Sequence, residues 1–154
     1  MKAQKIISVL IALTLWSCNA ENKSTSFGLT VEDSFFAKLD YDGLLVAADN
    51  TFKQGEDVVL ALINVSGFKK GDDGLNSFEM EMEVYDMENK LILSLGNLLG
   101  ESGHINLESN TAESPYASLT NTENLQPGKY KFSLAIYDKI GGGSATQTKT
   151  FIIN

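Results

Sequence analysis

Hydrophobic and polar residues alternate most regularly in Ser77–Asp86. The apolar positions are Phe78, Met80, Met82 and Val84, and between them lie Glu79, Glu81, Glu83 and Tyr85. A period of two places the apolar side chains on one face of a β-strand and the glutamates on the other. The stretch is therefore predicted to be a half-buried strand, and Lys90–Leu95 is predicted to return as its hairpin partner.

Strand signals recur along the rest of the chain. Val58–Val65 is nearly all apolar and has the length of a central strand. The other predicted strands are Phe27–Val31, Phe35–Leu39, Leu44–Ala48, Ile105–Leu107, Pro115–Leu119, Tyr130–Tyr137 and Ser144–Ile153. No helical period of convincing length follows residue 17, so the predicted fold class is all-β. We expect a single antiparallel sandwich of about seven to nine strands.

One of these strands has a distinctive entry, Leu125-Gln126-Pro127-Gly128-Lys129-Tyr130. This entry resembles the tyrosine corner of immunoglobulin-like and fibronectin type III sandwiches. The resemblance rests on Leu125, Pro127, Gly128 and Tyr130. It implies that the Tyr130 hydroxyl bonds the backbone a few residues upstream, near the start of strand F. The cysteine pair and core tryptophan of antibody domains are absent, so the expected kinship is architectural.

The N-terminus has a different pattern. Lys2 and Lys5 precede Ile6–Trp16, an apolar run interrupted only by Ser8 and Thr14. A spanning helix needs about 20 apolar residues, so this run is too short and is typical of a secretory signal. It ends in Leu15-Trp16-Ser17-Cys18, which resembles the lipobox of bacterial lipoproteins. Trp16 is larger than the residue that the family usually has at its position.

The lipobox resemblance implies cleavage before Cys18 and attachment of diacylglycerol to its thiol. The expected organisation is a signal peptide at 1–17, the lipidated cysteine with a flexible tether at 18–26, and the sandwich at 27–154. Two or three acyl chains hold a protein to a membrane far better than one. The protein is therefore expected to be exported and anchored to the cell envelope. Asn19 favours the outer membrane if the host has two membranes.

Charge narrows the range of partners. Removal of the signal takes Lys2 and Lys5, so the formal net charge changes from −8 to −10. The chain has no arginine, so bidentate capture of phosphate or carboxylate is unavailable. We expect no nucleic-acid partner, because no basic patch exists to release counterions.

The usual catalytic groups are scarce. Cys18 is the only cysteine, His104 is the only histidine, and the single tryptophan, Trp16, leaves with the signal. His104 has no nucleophile or orienting acid beside it in sequence, and Gly141–Gly143 lacks the ending of a phosphate loop. We therefore assign no catalytic, cofactor-binding or metal-binding residue and predict that the protein is not an enzyme. A carboxylate-based hydrolase is the least favoured alternative, since no two acids stand out.

Three groups of residues are candidate binding sites. Glu79, Glu81 and Glu83 form a stripe for a cationic partner or a metal. Residues two apart on a strand lie ~7 Å apart, however, so all three cannot share one ion without further ligands, and a solvated face explains the stripe more simply. Asp72 and Asp73, with Asp40, Asp42 or Asp49, could form a loop calcium site if the loops meet, although turn chemistry also explains them.

The tyrosines form the third group. Tyr85 and Tyr137 fall on the predicted outer faces of their strands, where they could stack on sugar rings, as could Tyr41 and Tyr116. Cross-strand packing of aromatic side chains is the simpler explanation. The sequence therefore favours a non-catalytic binding or accessory module, held to the membrane through Cys18 and facing an envelope protein or glycan. A carbohydrate-binding module that uses exposed tyrosines is the alternative.

Overall fold

The structure is a computed structural model, and it describes residues 22–154. The predicted signal peptide and Cys18 lie outside the described residues. Thirteen strands are present in this part of the chain, of which eight have four or more residues. They are β1 (Asn22–Phe27), β2 (Asp33–Leu39), β3 (Leu45–Ala47), β4 (Thr51–Phe52), β5 (Val58–Ile63), β6 (Val65–Ser66), β7 (Asn76–Asp86), β8 (Leu91–Leu95), β9 (His104–Ile105), β10 (Thr111–Ala112), β11 (Tyr116–Leu119), β12 (Gly128–Asp138) and β13 (Ser144–Ile153).

Helix is confined to short 3-10 segments in the described chain. They are Gly100–Gly103, Glu108–Asn110 and Thr122–Asn124. Within residues 22–154, no helix has the length and hydrophobicity needed to cross a bilayer.

The strands form two main sheets. The large sheet has the order β1-β13-β12-β7-β8, with β4 and β9 added beside β13 and β7. The small sheet has the order β11-β5-β2-β3, and β6 and β10 form a separate pair. The named strands pair antiparallel except β4, which runs parallel to the end of β13. The predicted antiparallel sandwich is therefore confirmed.

The core lies between the inner faces of the two sheets. Met80, Val84, Phe132 and Leu134 are 0% exposed on the large sheet, as is Leu60 on the small one. Four phenyl rings meet here edge to face, with Phe151 packed against Phe36, Phe52 and Phe132 at centroid distances of 6.1, 6.4 and 6.4 Å. The apolar half of the alternation in β7 therefore builds the core, as its period predicts.

Tyr130 closes the core at the start of β12. Its hydroxyl donates a hydrogen bond to the Gln126 carbonyl at 2.6 Å, which is the contact that defines a tyrosine corner. Its ring stacks on Phe151 at 5.6 Å between centroids, and Leu125 packs against the core from the loop before it. The corner therefore ties the entry of β12 to the packing of the sandwich.

The first strand contradicts the prediction of a flexible tether at 18–26 for the part from Asn22 onward. Asn22–Ser26 were expected to be flexible, but with Phe27 they form β1, which pairs with β13 from Asn22↔Lys149 to Phe27↔Ser144. All six residues of β1 are exposed. Such a strand is held by its backbone hydrogen bonds rather than by buried side chains, so it has no apolar period. The sandwich therefore includes Asn22–Ser26 as well as the residues from Phe27 onward.

Local backbone geometry shortens other predicted strands. The run Val58–Val65 breaks at Asn64, which has a φ of 47° and separates β5 from β6. Phe27 ends β1 instead of opening a strand to Val31. The strand expected at Ile105–Leu107 is the pair His104–Ile105, and Leu107 packs into the core after it.

The loops gather at two ends of the sandwich. The Asn154 end has the turns at 40–44, 53–57 and 86–90 and the segment 120–127, because β12 begins and β13 finishes there. The Gly142 end has the turns at 28–32, 67–75 and 139–143. Asp40, Asp42 and Asp49 therefore lie at the opposite end from Asp72 and Asp73, so the loops of the candidate calcium site do not meet.

Candidate functional site

The outer face of the large sheet carries a different kind of side chain on each strand. The register aligns Glu83, Ser133, Thr148 and Lys23 in one row across β7, β12, β13 and β1. The neighbouring row contains Glu81, Ala135, Thr146 and Thr25. Carboxylates therefore follow β7, small side chains follow β12, and hydroxyls follow β13.

This arrangement forms a groove of ≈ 340 Å³. Its lining residues are Lys23, Thr25, Tyr85, Asn89, Lys131, Ser133, Thr146 and Thr148. The floor is low because Ser133, Thr146 and Thr148 are small, and Thr148 donates a hydrogen bond to the Ser133 hydroxyl at 3.1 Å. Longer side chains, Tyr85 on one side and Lys23 on the other, form the walls. The groove therefore offers several hydroxyl groups beside one aromatic ring.

Tyr85 lies along its strand. Its hydroxyl donates a hydrogen bond to Glu83 Oε2 at 2.6 Å. The two residues lie two apart on one face, about 7 Å from each other, so the ring must lean toward Glu83 to make this bond. The hydrogen bond to Glu83, with partial burial and the charge of that carboxylate, raises the pKa of Tyr85. The phenol is therefore held as a neutral donor with a fixed ring.

Tyr137 leans toward the same carboxylate column from β12. Its hydroxyl donates to Glu81 Oε2 at 3.2 Å. Burial, followed by the charge and hydrogen bond of Glu81, raises its pKa. Tyr137 pairs with Glu79, which precedes Tyr85 by six residues on β7. The backbones of the two tyrosines are therefore roughly 20 Å apart along the strands, and their side chains point toward each other. The structure therefore places both predicted tyrosines on one face, at its two ends.

Two lysines give one end of the groove a positive charge. Lys131 donates a hydrogen bond from Nζ to Asn89 Oδ1 at 2.7 Å, and Lys23 projects from β1. Among residues 22–154, the ion pairs are Lys38–Glu56 and His104–Asp73, so neither groove lysine is paired with a described carboxylate. The groove therefore has an ammonium group on each side, with Lys131 beside Tyr85 of β7 and Lys23 on β1.

The glutamate stripe does not act as a unit. Glu79 Oε1 accepts hydrogen bonds from the backbone N–H groups of Met80 at 2.8 Å and Leu99 at 3.0 Å. Its Oε2 is buried without a hydrogen-bond partner in the described structure. Glu81 and Glu83 accept from the tyrosines, and the described residues contain no cluster of three or more metal-ligating side chains. Glu79 therefore fastens the loop after β8, and the other two orient aromatic rings.

The remaining candidates lie elsewhere. His104 Nε2 lies 3.0 Å from Asp73 Oδ2 at the exposed Gly142 end. The pKa of Asp73 is lowered, first by the Leu75 N–H and then by the charge of His104. Tyr41 is on the β2–β3 hairpin and Tyr116 on β11 of the small sheet, so neither joins Tyr85 and Tyr137.

Sequence reasoning missed most of the groove. Lys23 and Thr25 fell in the predicted tether, and Ser133, Thr146 and Thr148 are ordinary strand residues. The one available signal was Ser133 and Ala135, which stand as small side chains at alternate positions between Lys131 and Tyr137. Small side chains on an exposed strand face leave room above the sheet, but only the register shows what surrounds that room.

The sequence matches no protein-family model and no curated protein. Among solved structures, the C-terminal domain of Wzt is similar, with a TM-score of 0.58 and 9% identity over 87% of this chain and 78% of that one. An immunoglobulin-like protein from Pseudomonas aeruginosa has a TM-score of 0.47 and 9% identity over 82% of this chain and 96% of that one. The PmoD soluble domain from Methylocystis sp. ATCC 49242 (Rockwell) has a TM-score of 0.36 and 10% identity over 79% and 90%.

The class of fold follows from the topology and the Wzt similarity. The chain is an antiparallel immunoglobulin-like β-sandwich, with Tyr130 at the corner where that class places a tyrosine. At 9% identity the similarity concerns the fold.

Proposed function

We propose that the protein is a non-catalytic binding module of the cell envelope, anchored by lipid on Cys18, which binds a saccharide on the outer face of its large sheet. The groove between Tyr85 and Lys23 carries this proposal. The anchor rests on the lipobox-like sequence Leu15–Cys18. Together they describe a rigid sandwich that presents one polar face near a membrane.

The groove lining fits the chemistry of a sugar. Saccharide hydroxyls both donate and accept hydrogen bonds, and Thr25, Ser133, Thr146 and Thr148 do the same. Asn89 adds an amide beside them. Aromatic rings bind the apolar faces of ligands well because they lose little conformational entropy. The hydrogen bond from Tyr85 to Glu83 fixes one such ring in advance.

The same hydrogen bonds support a binding role over catalysis. A general acid or base must be free to reach a substrate proton. On this face Glu81 and Glu83 accept bonds from tyrosines, and Glu79 accepts bonds from two backbone N–H groups. These carboxylates are therefore occupied with positioning other groups.

A glycan array with the mature lipidated chain in nanodiscs tests the ligand class. We expect a defined set of glycans to bind, and Tyr85→Ala to weaken binding by about tenfold, consistent with loss of one stacked ring. Tyr137→Ala should have a smaller effect, because that residue lies beyond the groove. Tyr116→Ala on the small sheet is the matched control and should bind as the parent does.

Two results would contradict the proposal. A silent array, together with crosslinking of Tyr85 to a single envelope protein, would replace the saccharide with a protein ligand. Equal losses for Tyr85→Ala and Tyr116→Ala would remove the groove from the site. The anchor is tested separately by mass spectrometry, where the mature chain should begin at a diacylated Cys18 and Cys18→Ala should leave the chain unlipidated.

A further inference from the structure

We propose that the tip of the β2–β3 hairpin rests on the bilayer that holds the lipid, so that the domain has a fixed orientation on the membrane. The hairpin tip is defined here as Leu39–Val46. This inference rests on the proposed lipidation of Cys18. It adds a second membrane contact, made by protein side chains.

The length of chain before the first strand limits how far the domain stands from the membrane. Only four residue steps separate Cys18 from Asn22, where β1 begins. Four residues span at most ~14 Å when fully extended. A lipid on Cys18 therefore keeps the start of β1 within about 14 Å of the headgroups. Some part of the sandwich surface near Asn22 must face the bilayer.

The pairing register shows which surface that is. β1 runs from Asn22 toward the Gly142 end, so the chain enters the domain from the Asn154 side. The β2–β3 hairpin lies over the edge of the large sheet that contains β1. Ser34 Oγ on β2 lies 3.5 Å from Gln147 on β13, the strand that pairs with β1. Farther along β2, Lys38 Nζ lies 5.7 Å from the centre of the Phe52 ring on β4. The hairpin tip therefore projects at the margin and end from which the lipidated segment arrives.

The hairpin tip carries apolar side chains that the fold does not bury. Leu39 is 41% exposed, Tyr41 108%, Leu44 63% and Val46 52%. Leucine and tyrosine side chains at such a position are suited to the headgroup region, where an apolar body and a polar tip are both solvated. Val46 pairs with Lys38 and Leu39 pairs with Leu45, so Leu39 and Val46 lie on opposite faces of the hairpin. A contact at the end of the hairpin therefore buries Tyr41 and Leu44 first.

The turn is formed before any contact is made. Asp40 Oδ1 accepts hydrogen bonds from the N–H groups of Asp42 at 3.0 Å and Leu44 at 2.8 Å. The backbone adds bonds from Gly43 N–H to Asp40 and from Asp40 N–H to Leu44. Little ordering is therefore needed when the hairpin meets the bilayer, which lowers the cost of docking.

Charge at the hairpin tip selects the kind of bilayer. Asp40 and Asp42 flank Tyr41, and the neighbouring Lys38 is paired with Glu56 at 3.1 Å. An anionic surface repels these carboxylates, so the hairpin should dock on zwitterionic headgroups and withdraw as anionic lipid is added. This preference distinguishes contact by the hairpin from electrostatic attraction by lysines.

The experiment uses tryptophan as a depth probe. The mature chain has no tryptophan once Trp16 leaves with the signal, so Tyr41→Trp introduces a single fluorophore. In the full lipidated chain on phosphatidylcholine vesicles, its emission should shift to the blue. Brominated lipid should quench it at least about threefold more than a Trp placed by Ile140→Trp at the exposed Gly142 end. Added phosphatidylglycerol should reduce the quenching of the first probe.

The experiment tests docking of the hairpin separately from lipidation of Cys18. Intact mass reports whether Cys18 carries lipid, independently of fluorescence. If Cys18 is lipidated and the two probes are quenched equally, or neither is quenched, the docking of the hairpin is wrong while the anchor stands. Leu44→Trp repeats the measurement at a second hairpin position and should follow Tyr41→Trp. If phosphatidylglycerol increases the quenching, lysines rather than the hairpin tip hold the domain to the surface.

Discussion

The inner and outer faces of the large sheet are built from the same strands and differ in almost every other respect. Met82 is 2% exposed in the core, while its neighbour Glu81 faces solvent and accepts a bond from Tyr137. Inner side chains such as Leu134 and Phe151 are 0% exposed and contact other apolar groups. Outer side chains such as Ser133 and Thr148 contact one another through hydrogen bonds.

The difference separates the residues that stabilise the fold from those proposed to bind a ligand. Inner positions are constrained by volume, because the close-packed core has no room to adapt. Outer positions are constrained mainly by the pairs they form, and exposed pairs contribute little to the free energy of unfolding. The outer face can therefore be shaped for a ligand without loss of stability, which is the arrangement expected of a binding module on a rigid scaffold.

The largest effect should come from placing a charge on the wrong face. Met82→Lys buries an ammonium group among apolar side chains, and we expect the domain to lose at least ~4 kcal/mol and to be largely unfolded. Glu81→Lys, one residue away, is the matched control and should change the free energy of unfolding by about 0.5 kcal/mol or less. Urea denaturation followed by circular dichroism measures both.

The two substitutions test the register as well as the energetics. A one-residue slip of β7 would exchange the two faces. If Glu81→Lys proved as damaging as Met82→Lys, the alternation of faces along β7 would be wrong.

A smaller effect is expected at the tyrosine corner, where β12 enters the core. Tyr130→Phe keeps the ring on Phe151 but removes the hydroxyl that bonds the Gln126 carbonyl at 2.6 Å. Since Gln126 is exposed, water can satisfy its carbonyl, and the expected loss is about 1 kcal/mol. Tyr41→Phe, at a fully exposed ring, is the control. Equal unfolding midpoints for the parent and Tyr130→Phe would show that the corner bond contributes nothing to stability.

The sequence predicted the inner face well because burial imposes a period. Phe78, Met80, Met82 and Val84 alternate, and all four are in the core. The position of Tyr130 also followed from sequence, since its role depends on a local turn with Pro127 and Gly128. Local geometry and strand period are properties of short segments, so one sequence is enough to show them.

The outer face could not be predicted in the same way. β1 is held by backbone bonds to β13, and a strand of Asn22, Lys23 and Ser24 has the composition of a loop. The groove depends on which residues the register places side by side, such as Ser133 beside Thr148, fifteen positions later in the chain. Such neighbours follow from long-range pairing, which a residue pattern does not encode.

The smallest expected effect is the change in stability with pH that comes from the phenol protons of Tyr85 and Tyr137 on the outer face. The Glu83 hydrogen bond raises the pKa of Tyr85, and burial raises that of Tyr137. The folded chain therefore keeps phenol protons at a pH where the unfolded chain, with a tyrosine pKa of 10.0, has begun to lose them. Where the folded state binds more protons, the free energy of unfolding falls as pH rises. This contribution to stability is present below about pH 10 and is lost as pH rises through the folded pKa values.

Variants separate the tyrosine contribution to the pH dependence of the free energy of unfolding from the contribution of the lysines. Urea denaturation at about pH 9 and about pH 11 should show a smaller loss of stability for Tyr85→Phe than for the parent, because Phe has no proton to release. Glu83→Gln should reduce the slope in part, since it removes the charged acceptor that is the largest cause of the Tyr85 shift. If both variants kept the parent's slope, the bond between Tyr85 and Glu83 would not persist in solution, and the groove would lose its fixed aromatic wall. A reduced slope in both would show that the outer face is ordered before any ligand arrives, although it contributes little to stability.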